Sequence, residues 1–131
     1  MSETKTPTIL IVDDQELMSR VLQATLRPLG ARLSWAKSGA EAIEQIKTGG
    51  IPEVIVLDFS MPDQDGVETL RQIRQLDNGQ LIPVVMLTAR DQTKIRQDAE
   101  GLKVHAFMTK PFSPNMLLRT IKEILRGYQQ C

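Results

Sequence analysis

Short apolar runs alternate along the chain with stretches in which apolar residues recur every three or four positions. Residues 8–12, 54–57 and 84–87 are dominated by β-branched and aliphatic side chains, which is typical of strands buried on both faces of a sheet. Residues 33–35 and 106–108 are weaker strand candidates. The pattern therefore predicts five strands separated by amphipathic segments.

The amphipathic segments predict helices. The first begins near Asp14, and we expect its apolar side to consist of Leu17, Val21, Leu22 and Leu29. A helix at this point would start directly after the first strand.

Capping signals and apolar stripes place the next three helices. Ser38 and Glu41 have capping-box spacing at the start of the second helix, which we expect to end at residues 49–50. Residues 67–76 carry the stripe of the third helix, and residues 91–101 form a fourth with few apolar positions.

The last helix has the clearest start. Ser113 is a good N-cap residue, and Pro114 suits the first helical position. Its core-facing positions are Leu117, Ile121, Ile124 and Leu125. Strand and helix thus alternate five times, which predicts an α/β fold with a parallel sheet and helices on both faces. We expect one domain at residues 8–126, between a polar extension at 1–7 and a tail at 127–131.

Polar and ionisable residues follow almost every predicted strand. Asp13 and Asp14 come after the first, Asp58 ends the third, Thr88 ends the fourth and Lys110 follows the fifth. Ligands of such sheets bind beyond the carboxyl ends of the strands, so we expect these side chains to share one crevice.

Three carboxylates in one crevice repel each other, which raises the pKa of at least one unless a cation binds. Oxygen ligands suit Mg²⁺ or Ca²⁺, and Mg²⁺ commonly combines one or two carboxylates with phosphate oxygens. Lys110 supplies a positive charge and Thr88 a hydroxyl donor. We therefore expect a site for a phosphoryl group, with Asp58 as the best candidate nucleophile.

Composition narrows the class of protein. The 131 residues are 41% hydrophobic and 24% charged, which is ordinary for a globular domain, and one cysteine excludes an internal disulfide. Residues 1–89 hold 8 basic and 12 acidic side chains, net −4, and residues 90–131 hold 8 and 4, net +4. The net charge of zero over the whole chain argues against direct nucleic-acid binding. No apolar run is long enough to span a membrane, so we expect a cytoplasmic protein.

The motifs at the strand ends resemble those of response-regulator receiver domains, the phospho-acceptor modules of two-component signalling. The matching segments are Ile11–Asp14, Leu57–Gly66, Met86–Ala89 and Lys110–Phe112, and the similarity extends from about Thr8 to Arg126. The resemblance implies a flavodoxin-like, doubly wound sheet of order 2-1-3-4-5 with five helices. It also implies a single-domain layout like that of the chemotaxis-Y receivers.

The resemblance also implies roles for individual residues. Asp58 would accept a phosphoryl group from a histidine kinase or a histidine phosphotransfer protein. Asp13, Asp14, Asp58 and the backbone carbonyl of Ser60 would hold Mg²⁺. Lys110 and Thr88 would bind the phosphoryl oxygens, and Phe107 would be the switch aromatic. Ser60 and Arg90 would tune the lifetime of the phosphoryl group.

Two features of the sequence concern how the domain would bind a downstream partner. Receivers often have Gly-Ala-Asp before the switch aromatic, whereas residues 100–106 here read EGLKVHA, so we expect an atypical loop. A basic face is expected on the fourth helix, fifth strand and fifth helix. This face would bind a downstream protein or mediate homodimerisation when Asp58 is phosphorylated. Its residues are Lys94, Arg96, Lys103, Arg119, Lys122 and Arg126.

Three other functions fit the layout less well. A phosphohydrolase of the haloacid-dehalogenase type needs a second carboxylate two residues after the nucleophile, where this chain has Ser60. A nucleotide or flavin carrier lacks support because there is no P-loop. A scaffold receiver that is never phosphorylated would not need the complete set of site residues. We therefore expect a signalling module with weak self-catalysed phosphoryl transfer and autodephosphorylation.

Overall fold

The computed structural model describes residues 6–58, 66–88 and 96–130. Five parallel strands form one sheet in the order β2-β1-β3-β4-β5. The strands are β1 Thr8–Val12, β2 Arg32–Ala36, β3 Val54–Asp58, β4 Val84–Thr88 and β5 Ala106–Thr109. The predicted fold class and strand order are confirmed.

A helix follows each strand. They are α1 Glu16–Leu26, α2 Gly39–Gly49, α3 Gly66–Gln75, α4 (described over residues 96–98) and α5 Pro114–Gln130, and a short 3₁₀ helix, Arg27–Leu29, follows α1. The first part of the predicted fourth helix, residues 91–95, lies outside the described residues. Helix α5 continues beyond residue 126, where we had placed the end of the domain.

The two faces of the sheet bury two separate sets of side chains. Leu10 and Leu57 belong to a core that includes residues of α2 and α3. Ile11 and Val56 belong to a second core, on the other face, that includes residues of α1 and α5. Alternate residues of each strand thus supply opposite faces, as the period of a β-strand requires.

The capping predictions are confirmed. The Ser38 hydroxyl accepts a hydrogen bond from the Glu41 backbone N–H at 3.1 Å, and Gly50 ends α2 with a φ of 104°. The Ser113 hydroxyl accepts from the Met116 backbone N–H at 3.3 Å at the start of α5. These polar side chains satisfy N–H groups that the first helical turn leaves without a partner.

The predicted apolar side of the first helix is confirmed for Leu22, which is buried, and for Leu29, which packs against the same core, but it is wrong for Leu17 and Val21. Leu17 is 77% exposed and Val21 is 44% exposed, whereas Ser19, Leu22 and Leu26 are buried. Leu17 and Leu22 are five positions apart, so they point to different sides of a helix with 3.6 residues per turn. The side of α1 that contains Leu22 packs against the core. Leu17 and Val21 lie on another side and form an exposed apolar pair.

Strand register brings the carboxyl ends of the strands together. Val12 pairs with Ala36 and Leu57, and Thr88 pairs with Thr109. The residues that follow these positions therefore meet at one edge of the sheet. Within the described part of the chain, no helix has the length and apolarity needed to cross a bilayer.

Candidate phosphoryl-acceptor site

Three carboxylates form a cluster at the carboxyl edge of the sheet. Asp13, Asp14 and Asp58 each place a carboxylate oxygen within 4.8 Å of the other two. We call these residues the acidic cluster. Asp13 and Asp58 are buried, and Asp14 is partly exposed. The convergence predicted from the strand ends is therefore present.

The backbone and side chain of Asp13 are fixed by three neighbouring groups. Its N–H donates to the Ala36 carbonyl at 3.0 Å, and its carbonyl accepts from Trp35 Nε1 at 2.8 Å. Its Oδ1 accepts from the Gln15 backbone N–H at 2.9 Å. These bonds hold the carboxylate in place before any ligand binds.

The pKa of Asp13 is raised from 3.8 to about 6. Burial is the largest cause, because it disfavours the charged form, and the nearby Asp58 and Asp14 carboxylates act in the same direction. The hydrogen bond from Gln15 and the charge of Lys110 oppose this rise. Repulsion among the three carboxylates, predicted from the sequence, does raise the pKa of Asp13, but burial contributes more to the rise.

Two buried oxygens of the cluster have no hydrogen-bond partner among the residues that the structure describes. They are Asp13 Oδ2 and Asp14 Oδ1. Buried carboxylate oxygens are normally satisfied, so this pair suits a ligand that accepts their lone pairs. An all-oxygen donor set is the kind that Mg²⁺ prefers, and the residues present therefore fit a magnesium ion.

Lys110 provides the positive charge of the site. Its Nζ donates to Asp58 Oδ1 at 2.8 Å, across 52 positions of sequence. The side chain of Asp58 is 3% exposed and that of Lys110 is 19% exposed. The ion pair places a positive charge directly against a carboxylate that is almost completely buried, which offsets part of the cost of that burial.

Thr88 connects the end of β4 to Lys110. It is fully buried, and its carbonyl accepts a hydrogen bond from the Lys110 backbone N–H at 2.7 Å. Asp58 pairs with Leu87, the residue just before Thr88. Thr88 therefore lies at the same edge of the sheet as Asp58 and Lys110, as predicted.

Phe107 lies on β5, opposite Met86 of β4. Its partly buried ring packs against the core that contains residues of α2 and α3. The Arg96 guanidinium lies 4.7 Å from the ring centroid, within the range of a cation–π interaction. The predicted switch aromatic is thus in contact with α4.

The residues of the predicted basic face lie in two separate regions of the structure. Arg96 contacts Phe107, and the backbone carbonyl of Lys103 accepts a hydrogen bond from Arg74 of α3. The three basic residues of α5 instead line a cavity against the 3₁₀ helix, on the α1 side; they are Arg119, Lys122 and Arg126. Lys94, Ser60 and Arg90 lie outside the described residues.

Sequence reasoning missed the contribution of Trp35 to this site. Trp35 is the next-to-last residue of β2, the strand beside β1, so the strand order alone places it near the edge of the sheet where Asp13 lies. Its indole N–H bond to the Asp13 carbonyl depends on side-chain orientation, which no motif encodes.

Comparisons with known proteins agree with this geometry. A sequence model described as the response regulator receiver domain matches residues 9–122. The alkaline phosphatase synthesis transcriptional regulatory protein PhoP of Bacillus subtilis is 38% identical over 90% of this chain and 48% of its own length. The transcriptional regulatory protein ResD of the same organism is 32% identical over 99% of this chain and 52% of its own. The chain thus spans about half the length of these curated relatives.

Solved structures give the same fold. The chemotaxis protein CheY4 of Vibrio cholerae superposes with a TM-score of 0.84 at 26% identity, covering 92% of this chain and 99% of that one. A Francisella response regulator receiver domain gives 0.80 at 28% identity, covering 93% and 99%.

Proposed function

Because the chain belongs to the response-regulator receiver family of two-component systems, we propose that it accepts a phosphoryl group on Asp58 and changes its surface in response. One observation carries this proposal. Asp58 is almost completely buried yet lies among two other carboxylates and is paired with Lys110. Burying these charges lowers the stability of the free protein, and a bound ligand that interacts with them would offset this cost.

The proposed reaction is transfer from a phosphohistidine on another protein. A carboxylate oxygen of Asp58 attacks phosphorus, the phosphorus–nitrogen bond of the donor breaks, and the donor imidazole leaves as a neutral group once it takes up a proton. Lys110, which now pairs with Asp58 Oδ1, can follow the new charge onto the phosphoryl oxygens. In-line positioning and charge neutralisation are the main demands of this chemistry.

Asp13, Asp14 and Asp58, with the backbone carbonyl of Ser60, are the residues that would hold Mg²⁺. When bound, the ion neutralises negative charge on the phosphoryl oxygens. The unpartnered Asp13 Oδ2 and Asp14 Oδ1 support this assignment. Ser60, together with Arg90, would also influence how long the phosphoryl group lasts.

We propose that Thr88 and Phe107 transmit the change. The Thr88 hydroxyl would bind a phosphoryl oxygen, and Phe107 would then move together with the Arg96 side chain stacked on it. The surface affected comprises β5 and α4. A downstream protein or a second copy of this chain would bind there.

The donor would be a histidine kinase or a histidine phosphotransfer protein. The curated relatives named above are transcriptional regulators about twice as long as this chain. The acidic cluster lies within the matched residues 9–122, so the phosphoryl-acceptor chemistry does not depend on the remaining half of those longer proteins.

The direct test is phosphorylation by acetyl phosphate in the presence of Mg²⁺. The wild-type protein should gain one hydroxylamine-labile phosphoryl group, and Asp58→Asn should gain none. Asp77→Asn, at an exposed aspartate, is the matched control and should label like the wild type. Equal labelling of wild type and Asp58→Asn, or no labelling of either, would refute the proposal, and the second result would favour a scaffold function.

A further inference from the structure

A second surface of the molecule has the character of a binding site and takes no part in the chemistry above. A cavity of about 680 Å³ lies between the 3₁₀ helix after α1 and helix α5. Pro28 and Leu29 line one side, and Leu118 and Leu125 line the other. We call this cavity, with the cations described next, the basic groove.

Three cations border the basic groove. Arg119, Lys122 and Arg126 all lie on the same side of α5, since positions separated by three, four and seven residues share one helix face. All three residues are exposed, and none makes an ion pair within the described part of the chain. Among the residues that the structure describes, no acidic side chain lines the cavity. The groove therefore combines an apolar floor with three positive charges that are not ion-paired to any described residue.

We infer that the basic groove is a docking site for an acidic segment of a partner protein, a segment that also carries an apolar side chain. Carboxylates of the segment would meet Arg119, Lys122 and Arg126. The apolar side chain would bury against Leu29 and Leu118. Complementary charge and a buried apolar anchor are the features that give a peptide site its specificity.

A protein segment suits this groove better than a nucleic acid. Seven helical residues rise about 10 Å, so the row of cations matches only a few charges of a phosphate backbone. The chain has no net positive charge to attract a polyanion over a distance. The apolar floor also has no counterpart in a phosphodiester chain, whereas Leu, Val or Phe of a peptide would fill it.

The basic groove is remote from Asp58. Thr6 and Pro7, which precede β1, also line it, so it lies toward the amino ends of the strands. The acidic cluster lies at the carboxyl ends. Docking in the groove would therefore proceed equally with or without a phosphoryl group on Asp58. The inference does not rest on the proposed function, and either can fail without the other.

The test uses a fluorescein-labelled synthetic peptide of alternating glutamate and leucine as the probe. Fluorescence anisotropy at low salt should detect binding to the wild-type protein. Lys122→Glu should weaken binding about tenfold, and Arg119→Glu with Lys122→Glu should weaken it further. Lys47→Glu, at an exposed position of α2, is the matched control and should change the Kd by less than about twofold.

Peptide variants and site mapping complete the test. Exchanging the glutamates for glutamine, or the leucines for serine, should each abolish most of the binding. Amide shifts of the ¹⁵N-labelled protein should cluster at residues 28–30 and 115–126, with and without beryllofluoride. The inference is overturned by undetectable binding, by equal loss in Lys47→Glu, by shifts elsewhere, or by tighter binding of a single-stranded oligonucleotide of the same charge.

Discussion

Asp13 shows how one residue is prepared for a ligand. Hydrogen bonds from Trp35 and Gln15, and one to Ala36, fix its position, and burial raises the pKa of its carboxyl to about 6. Its Oδ2 accepts no hydrogen bond from any residue in the described ranges. The carboxylate is therefore costly to ionise in the free protein, and a bound cation would remove that cost.

This pKa predicts how Mg²⁺ affinity depends on pH. A proton on Asp13 competes with the metal, so affinity should be nearly constant above pH 7 and should fall as pH drops through about 6. Below that pKa, the apparent Kd should rise about tenfold per pH unit. Titration of Mg²⁺ followed by Trp35 fluorescence, at several pH values, measures this dependence.

Asp13→Asn is the control for the pH series. The asparagine cannot titrate, so the variant should bind Mg²⁺ more weakly at pH 7.5 and lose most of the slope between pH 5 and 7. An affinity of the wild type that is flat across this range would contradict the role given to Asp13.

At the scale of elements, the loop before β5 has an unexpected anchor. The guanidinium of Arg74, in the last turn of α3, donates to the carbonyls of Leu102, Lys103 and Gly79 at 2.7, 3.0 and 2.8 Å. Partial burial lowers the pKa of Arg74 from its ordinary value. Lys103 adopts a positive φ of 63° within the segment that departs from the family pattern. Arg74 thus ties together the loops that precede β4 and β5.

Arg74→Met should destabilise the protein by about 2–3 kcal/mol, because three carbonyls lose a charged donor. Urea unfolding measures the change, and amide exchange should accelerate at residues 99–105. Arg71→Met is the matched control on the same helix. Within the described residues, Arg71 makes one ion pair, with the half-exposed Glu68, so its loss should cost less than about 0.5 kcal/mol. Equal effects of the two substitutions would show that the Arg74 bonds add nothing.

The sequence predicted the elements well because their signals are local. Buried strands read as apolar runs, and Ser38, Gly50 and Ser113 mark helix ends by chemistry that acts within a few residues. Orientation was harder to predict. Leu17 looked like a core residue by composition, but which side of α1 packs is decided by the sheet. The Arg74 bonds join positions up to 29 residues apart, beyond any local pattern.

At the scale of the whole molecule, the carboxyl edge of the sheet presents both the site and an apolar surface. Leu17 and Val21 are exposed on the first turns of α1, which begins shortly after Asp14. Asp58 is only 2% exposed, so a protein donor has to dock closely to reach it. The exposed apolar pair is well placed to bind such a donor.

Leu17→Glu should therefore slow phosphoryl transfer from a phosphorylated histidine kinase about tenfold, since it adds a charge to an apolar contact. Leu81→Glu is the matched control. Leu81 is 78% exposed but precedes β4, at the opposite edge of the sheet. All three proteins should react equally with acetyl phosphate, which needs no docking surface. Equal transfer rates from the kinase would exclude this surface.

The acidic cluster could be foreseen because strand order and register place strand ends at one edge. The division of the basic residues was missed for another reason: the core-facing positions that fix the rotation of α5 were predicted correctly, but the 3₁₀ helix that lies opposite its cations was not predicted. Leu117 and Ile121 face the core, and this rotation turns Lys122 toward the 3₁₀ helix.

The central claim is that Asp58, within the acidic cluster, is the residue that carries the phosphoryl group. The most direct measurement is to treat the wild-type protein with acetyl phosphate and Mg²⁺, reduce the acyl phosphate with borohydride, and sequence the modified peptide. Reduction should convert residue 58 alone, and chelation of Mg²⁺ should prevent it. Modification at Asp13 or Asp14, or equal modification without Mg²⁺, would contradict the account.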